Sequence, residues 1–224
     1  MPRIARFVSP GYCYHITQRA NNRQYILKDD KDKRKYLYWV EEYRKKYKVE
    51  IFAYCLMNNH VHFIARPHSD DAFARLFNTA HMRYAQYYNK RSGSSGHVWQ
   101  GRYFSCMLWE QHFLAAIRYV ERNPVRAGLI KKPWGWFWSS AREHIGKERG
   151  IINLSDIREH IKVDAWKEYI DITEETTMLK DIRDNTKSGR VWGPQEYIEC
   201  LEKKFGILFR KSKRGRPKIH IAQK

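Results

Sequence analysis

Apolar positions along the first 130 residues fall into two rhythms, and the switches between them mark the elements. Residues 12–19, YCYHITQR, alternate and are rich in aromatic and β-branched types, which predicts a strand. Behind the acidic run KDDKD the period lengthens: Tyr36, Leu37, Val40, Tyr43 and Tyr47 recur at helical spacing. Two strand-like runs follow, about 49–56 and 60–66, around Met57-Asn58-Asn59. Asparagine tolerates the left-handed conformations of tight turns, so an antiparallel hairpin is predicted there. Residues 70–89 place Phe73, Leu76, Phe77, Ala80, Tyr84 and Tyr88 on one helical stripe. RSGSSGH is a flexible connector, RYFSCMLW a fourth strand, and 110–123 a helix ended by Pro124.

The order β-α-β-β-α-β-α predicts an α+β fold with a ferredoxin-like split βαβ core, an antiparallel sheet with helices on one face. Beyond residue 140 the chain turns polar, with one helix expected within 155–172 and a soft stretch, TEETTMLKDIRDNTKSGR, assigned to no element. GPQEYIECLEKKFG then sets Tyr197, Ile198, Leu201 and Phe205 on one face between Pro194 and Gly206, a further helix. These shifts divide the chain into a core of residues 1–140, a helical extension of 141–208 and a basic tail of 209–224.

Composition changes the picture through charge. The 224 residues carry 43 Lys and Arg against 24 acids, a formal charge of +19, which suits a polyanionic partner: nucleic acid first, an anionic membrane surface second. With 42% hydrophobic residues the chain is a folded one. It has no apolar run of 18 residues, and MPRIARFVSPGYCYHI lacks the apolar core of a signal peptide, so a soluble cytoplasmic protein, associated with the nucleoid, is expected. Cys13, Cys55, Cys106 and Cys200 have no CxxC spacing, which argues against a zinc ribbon or a disulfide framework.

Candidate chemistry begins at AYCLMNNHVHFIARP. His60 and His62 stand at i and i+2 of a predicted strand, so both imidazoles project from one face while Val61 faces the other way. Such a pair can hold a divalent metal with open positions, or it can be two satisfied sheet histidines. In FLAAIRYVERNPVRAG, Tyr119 and Asn123 share a helical stripe at i and i+4. An Asn123 amide oxygen could be a third ligand and the Tyr119 phenol could reach a substrate held by the metal; packing and a helix stop are the plainer alternatives. Taken together, a tyrosine nucleophile, an open metal and a basic surface point to attack on a DNA phosphodiester.

YHITQRANNRQYILKDD, AYCLMNNHVHFIARP, GHVWQGRYFSC, RYVERNPVRAG and the WSS at 138–140 resemble the REP-associated tyrosine transposases of the HUH single-tyrosine superfamily, over roughly 1–140. GPQEYIECLEKKFG and KRGRPK are similar to the C-terminal end of those proteins. The resemblance implies an HUH nuclease domain in 1–140 that cleaves and rejoins single-stranded DNA beside a palindromic hairpin, acting as a monomer. It puts a Mg²⁺ or Mn²⁺ ion on His60, His62 and Asn123 and the nucleophile on Tyr119. Asn58 departs from the family, which commonly has proline there.

For DNA contact the candidates are Arg19, Arg23, Arg83, Arg91, Arg102 and Arg126 on phosphates, and Trp99 and Tyr103 stacking on unpaired bases, with solvated charge and packing as alternatives. Lys211, Lys213, Arg214, Arg216 and Lys218 surround Gly215 and Pro217 in a segment that looks like an AT-hook, slim enough for a minor groove. The expected function is a metal-dependent single-strand endonuclease and strand-transferase. A non-catalytic DNA- or RNA-binding regulator of the same fold is the alternative; a zinc hydrolase is disfavoured for want of a third His or Cys at useful spacing.

Overall fold

The structure is a computed structural model and describes residues 7–209. Four antiparallel strands, β1 (Tyr14–Arg19), β2 (Val49–Leu56), β3 (His60–Pro67) and β4 (Phe104–Met107), form one sheet in the order β2-β3-β1-β4. Helix α1 (Asp30–Lys46) links β1 to β2, and α2 (Ala72–Ser92) links β3 to β4. Each crossover spans a strand of the other unit, which is the split βαβ arrangement of the ferredoxin-like fold. Asp29 caps α1 by accepting from the Asp32 amide at 2.8 Å, and Gly93, left-handed at φ 63°, ends α2.

The crossover helices cover one face. Val61, Phe63 and Ala65 of β3 pack there with Tyr14, Ile16, Tyr36, Leu37, Phe73, Phe77 and Tyr84. His60, His62 and Ile64 alternate to the other face, where Ile64 packs with Cys55, Cys106, Phe113, Ile117 and Val120. That face is partly covered by α3 (Phe113–Glu121) and by later elements, α6 (Val163–Asp171) and α7 (Thr176–Ser188) among them. The composition shift near residue 140 therefore coincides with no break in packing: Ile157, Trp166, Ile170, Ile182 and Trp192 share a cluster with α3 and the sheet.

Three elements differ from expectation. Pro124 does not end the helix; the break falls at Arg122 (φ −85°, ψ 0°), and Pro124 sits within the first turn of α4 (Asn123–Arg126), where its missing amide hydrogen costs nothing. The helix expected within 155–172 is only α6, because residues 151–158 run as a loop docked on the sheet, the Ser155 amide donating to Ile51 at 2.8 Å. The stretch read as soft forms α7, closed by the left-handed Gly189. Among the described residues, a short α5 (Ala141–His144) and the expected C-terminal helix, α8 (Gln195–Phe205), are the remaining α-helices.

Candidate active site

The β2–β3 turn is held by hydrogen bonds rather than by left-handed backbone, since neither Asn58 nor Asn59 has a positive φ. The Met57 amide donates to His60 at 2.9 Å, and the carbonyls of Asn58 and Asn59 accept from Leu27 and Ala20. The Asn59 side chain donates to the Arg23 carbonyl at 3.1 Å and its oxygen lies 2.7 Å from His60 Nδ1. This fixes His60 at the strand's first position. His62 pairs with Thr17 of β1, and its Nδ1 lies 2.9 Å from Nε2 of His15 on the same face. Both ligand candidates thus have Nδ1 engaged, which leaves Nε2 of each ring for a ligand. The two rings are 5.0 Å apart and nearly perpendicular.

The three imidazoles are neutral at neutral pH, as ligation requires. Burial lowers His60 to about 4, helped by Arg19 and Arg126. Burial also holds His62 well below the ordinary histidine value, with His60, His15 and two arginines adding to the effect. His15, fully enclosed and facing Arg126, falls to about 3.

Tyr119 arrives from α3, 4% exposed, with its ring edge-on to His15 at 5.4 Å and to His62 at 5.9 Å. The Arg126 guanidinium covers the ring at 4.3 Å from its centre and donates to the Tyr119 carbonyl at 2.5 Å. Arg126 is not a surface phosphate contact: it is paired with Glu174, a buried carboxylate that also accepts from Arg122 at 2.7 Å. Burial lowers Arg126, and Glu174 opposes that shift. Glu174, just before α7, was invisible to residue spacing because its partners lie on another element.

Asn123 lies one turn beyond Tyr119. Its Nδ2 donates back to the carbonyls of Tyr119 and Val120 at 3.2 and 3.1 Å. The donors that the described residues bring together are two neutral imidazole nitrogens, with no contact joining the Asn123 amide oxygen to them. No group of three His, Cys, Asp or Glu capable of holding a metal exists among the described residues. That set fits a loosely held ion that keeps open positions for water and phosphate oxygens, and does not fit a closed structural zinc site.

A cavity of about 510 Å³ opens over this face, lined by His15, His62, Tyr119, Arg19, Arg183 and Lys187 among others. The last two come from α7, which also brings Thr186 to within 2.7 Å of His15 Nδ1. Arg23 and Arg102 are exposed. Trp99 is not available for base stacking: it is 7% exposed, donates Nε1 to the His81 carbonyl at 3.0 Å and packs 4.6 Å from that ring. Tyr103 is likewise buried, and Arg91 is tied to Asp29 and Asp32. Lys213, Arg214, Arg216 and Lys218 of the AT-hook-like segment lie outside the described residues.

A family model described as IS200-like transposase matches residues 9–123, which takes in every strand, both histidines and Tyr119. Among solved structures, a REP-associated tyrosine transposase bound to a REP hairpin superposes with a TM-score of 0.53 at 18% identity, covering 70% of this chain and 93% of that one; it shows that the fold is shared. A transposase structure from Deinococcus radiodurans R1 gives a TM-score of 0.37 at 19% identity, over 55% of this chain and 97% of that one. No curated protein matches the sequence. Among the described residues no helix is long and apolar enough to cross a membrane.

Proposed function

The chain belongs to the IS200-like transposase family, and from that premise we propose that it cuts and rejoins single-stranded DNA beside a hairpin, with Tyr119 as nucleophile. The observation that carries the reading is the meeting of three side chains: His60 and His62 on one strand with Nε2 of each unengaged, and Tyr119 edge-on to His62 at 5.9 Å inside a cation-rimmed cavity. In the reaction the phenol oxygen attacks phosphorus, the bond to the 3′ oxygen breaks, and the 5′ phosphate stays on the tyrosine. Arg126 holds Tyr119 from two sides, at its ring and at its carbonyl, so the nucleophile enters already oriented. Arg19, Arg183 and Lys187 on the cavity wall grip the strand's phosphates.

His60 and His62 would hold the Mg²⁺ or Mn²⁺ ion, with Asn123 as the third ligand once its amide oxygen turns inward. What such an ion supplies when bound is polarisation of the scissile phosphate and compensation of its developing charge. Two imidazoles make Mn²⁺ the better fit of the two. The hairpin in the structure of the fold relative supports a hairpin-bearing strand as the partner.

The test is incubation of labelled hairpin-bearing single-stranded DNA with protein and Mn²⁺, followed by denaturing electrophoresis. Wild type is expected to give a covalent protein–DNA adduct and Tyr119→Phe none. An equal adduct from the Phe variant removes Tyr119 from the reaction. Hairpin binding with no adduct from wild type would favour a binding regulator instead.

A further inference from the structure

We propose that Thr186, on α7, is a positioning residue that fixes the proton of His62 on Nδ1, through His15, and so keeps His62 Nε2 free to bind a metal. The inference rests on the reading of His60 and His62 as ligands.

A neutral imidazole has one N–H, so the two nitrogens of each ring must divide the roles of donor and acceptor. For His62 to present a lone pair at Nε2, its hydrogen must sit on Nδ1 and point at His15 Nε2, 2.9 Å away. His15 Nε2 must then accept, which places the His15 hydrogen on Nδ1. That nitrogen is 2.7 Å from Thr186 Oγ1, which must accept in turn. The hydroxyl keeps a hydrogen of its own, which its torsion leaves free to turn away from His15. Each bond from Thr186 to the ligand ring then has one donor and one acceptor.

The opposite polarity fails at one end. If Thr186 donated to His15 Nδ1, His15 would carry its hydrogen on Nε2 and give it to His62 Nδ1. His62 would then be protonated on Nε2, where a ligand needs a lone pair. Only the polarity in which Thr186 accepts leaves His62 Nε2 with a lone pair, so metal binding at His62 requires that arrangement. Each member is buried: Thr186 is 2% exposed, His15 1% and His62 5%, so water does not compete for the bonds. Thr186 also sits between Arg183 and Lys187 on α7, which line the cavity with His62. Docking of α7 would thus set the ligand's tautomer and bring the phosphate-gripping cations in one move.

The experiment uses the full chain without DNA. Mn²⁺ is titrated calorimetrically into wild type, Thr186→Val, Thr186→Ala and Thr186→Ser, and long-range ¹H–¹⁵N spectra of the metal-free proteins report the tautomers of His15 and His62. Thr186→Val and Thr186→Ala are expected to weaken Mn²⁺ binding about 10- to 100-fold and to shift His62 away from the Nδ1–H form. Thr186→Ser, which restores a hydroxyl, is expected to recover both. Binding within twofold of wild type in both truncations, with the His62 tautomer unchanged, would overturn the relay. A wild type that binds no Mn²⁺ at all would instead overturn the metal reading, while the metal-free spectra would still decide whether Thr186 sets the His62 tautomer.

Discussion

Two buried imidazoles on opposite sides of the same sheet look alike by every local measure. His81, on the face covered by α1 and α2, is 7% exposed, and burial lowers it to about 3. His62, on the other face, is 5% exposed and is lowered by the same cause. They differ in what surrounds them. His81 meets the Tyr36 hydroxyl at 3.0 Å and is walled by Tyr36, Phe77 and Trp99. His62 lines a cavity that also holds a tyrosine and three exposed cations. Suppressed basicity therefore does not mark a functional histidine by itself. A lone pair turned toward a cavity, with a second reactive group in reach, does.

The largest expected effect separates the faces by what each contributes. Phe63 is fully buried between Tyr36 and Phe77. Phe63→Ala should cost about 3–5 kcal/mol in denaturant unfolding. His60, three residues away and opening the same strand, is only half-buried. His60→Ala should change stability by less than about 1 kcal/mol, abolish strand cleavage and spare hairpin binding. If it cost as much as Phe63→Ala, or left cleavage intact, His60 would be a packing residue rather than part of the site and the comparison would break.

What the sequence revealed follows the same division. Tyr119 and Asn123 fall on either side of the break at Arg122, which period did not show. His60 and His62 were legible because both lie on one strand, where period alone sets a common face. The fold was legible for the same reason, element by element. His15 was not, although its strand was predicted, because its meeting with His62 depends on the β1–β3 register. α7 was missed because its buried stripe, Met178, Leu179, Ile182 and Thr186, is short and includes a hydroxyl, which blurs the apolar period. Trp99 and Arg126 were misplaced at the surface because their partners, the His81 carbonyl and the Glu174 carboxylate, are far along the chain.

A smaller effect sharpens the likeness between the histidines. His81 and His60 have folded values of about 3 and 4, below the unfolded value of about 6.5. As pH falls below about 6.5 the unfolded chain takes up protons that the folded chain refuses, so stability is full above that pH and is lost below it. Each histidine contributes a slope approaching about 1.4 kcal/mol per pH unit, until the pH reaches its folded value. Unfolding free energies between pH 7 and 4.5 should therefore decline steadily, and His81→Leu should flatten the decline. Added Mn²⁺ competes with protons only on the open face, so its stabilising effect should fade as pH falls in wild type and in His81→Leu alike. An Mn²⁺ effect that vanished with His81 would place the metal on the wrong side of the sheet.

The smallest expected effect concerns charge, and it asks whether DNA meets one face or both. Arg19 ends β1 directly opposite His60 and lines the cavity with its side chain exposed. Arg83 is equally exposed on α2, the helix that covers the closed face. A phosphate contact releases a counterion, so removing one should lower the salt slope of hairpin binding by about 0.7–0.9. Arg19→Ala should show that loss with a few-fold weaker affinity at moderate salt, and Arg83→Ala should leave the slope where it was. Equal losses from the two would mean that the strand wraps the α2 side as well, and that the open face owns the chemistry but not the grip. An unchanged slope in Arg19→Ala alone would move the phosphate contacts at the cavity to Arg183 and Lys187, the cations that α7 supplies.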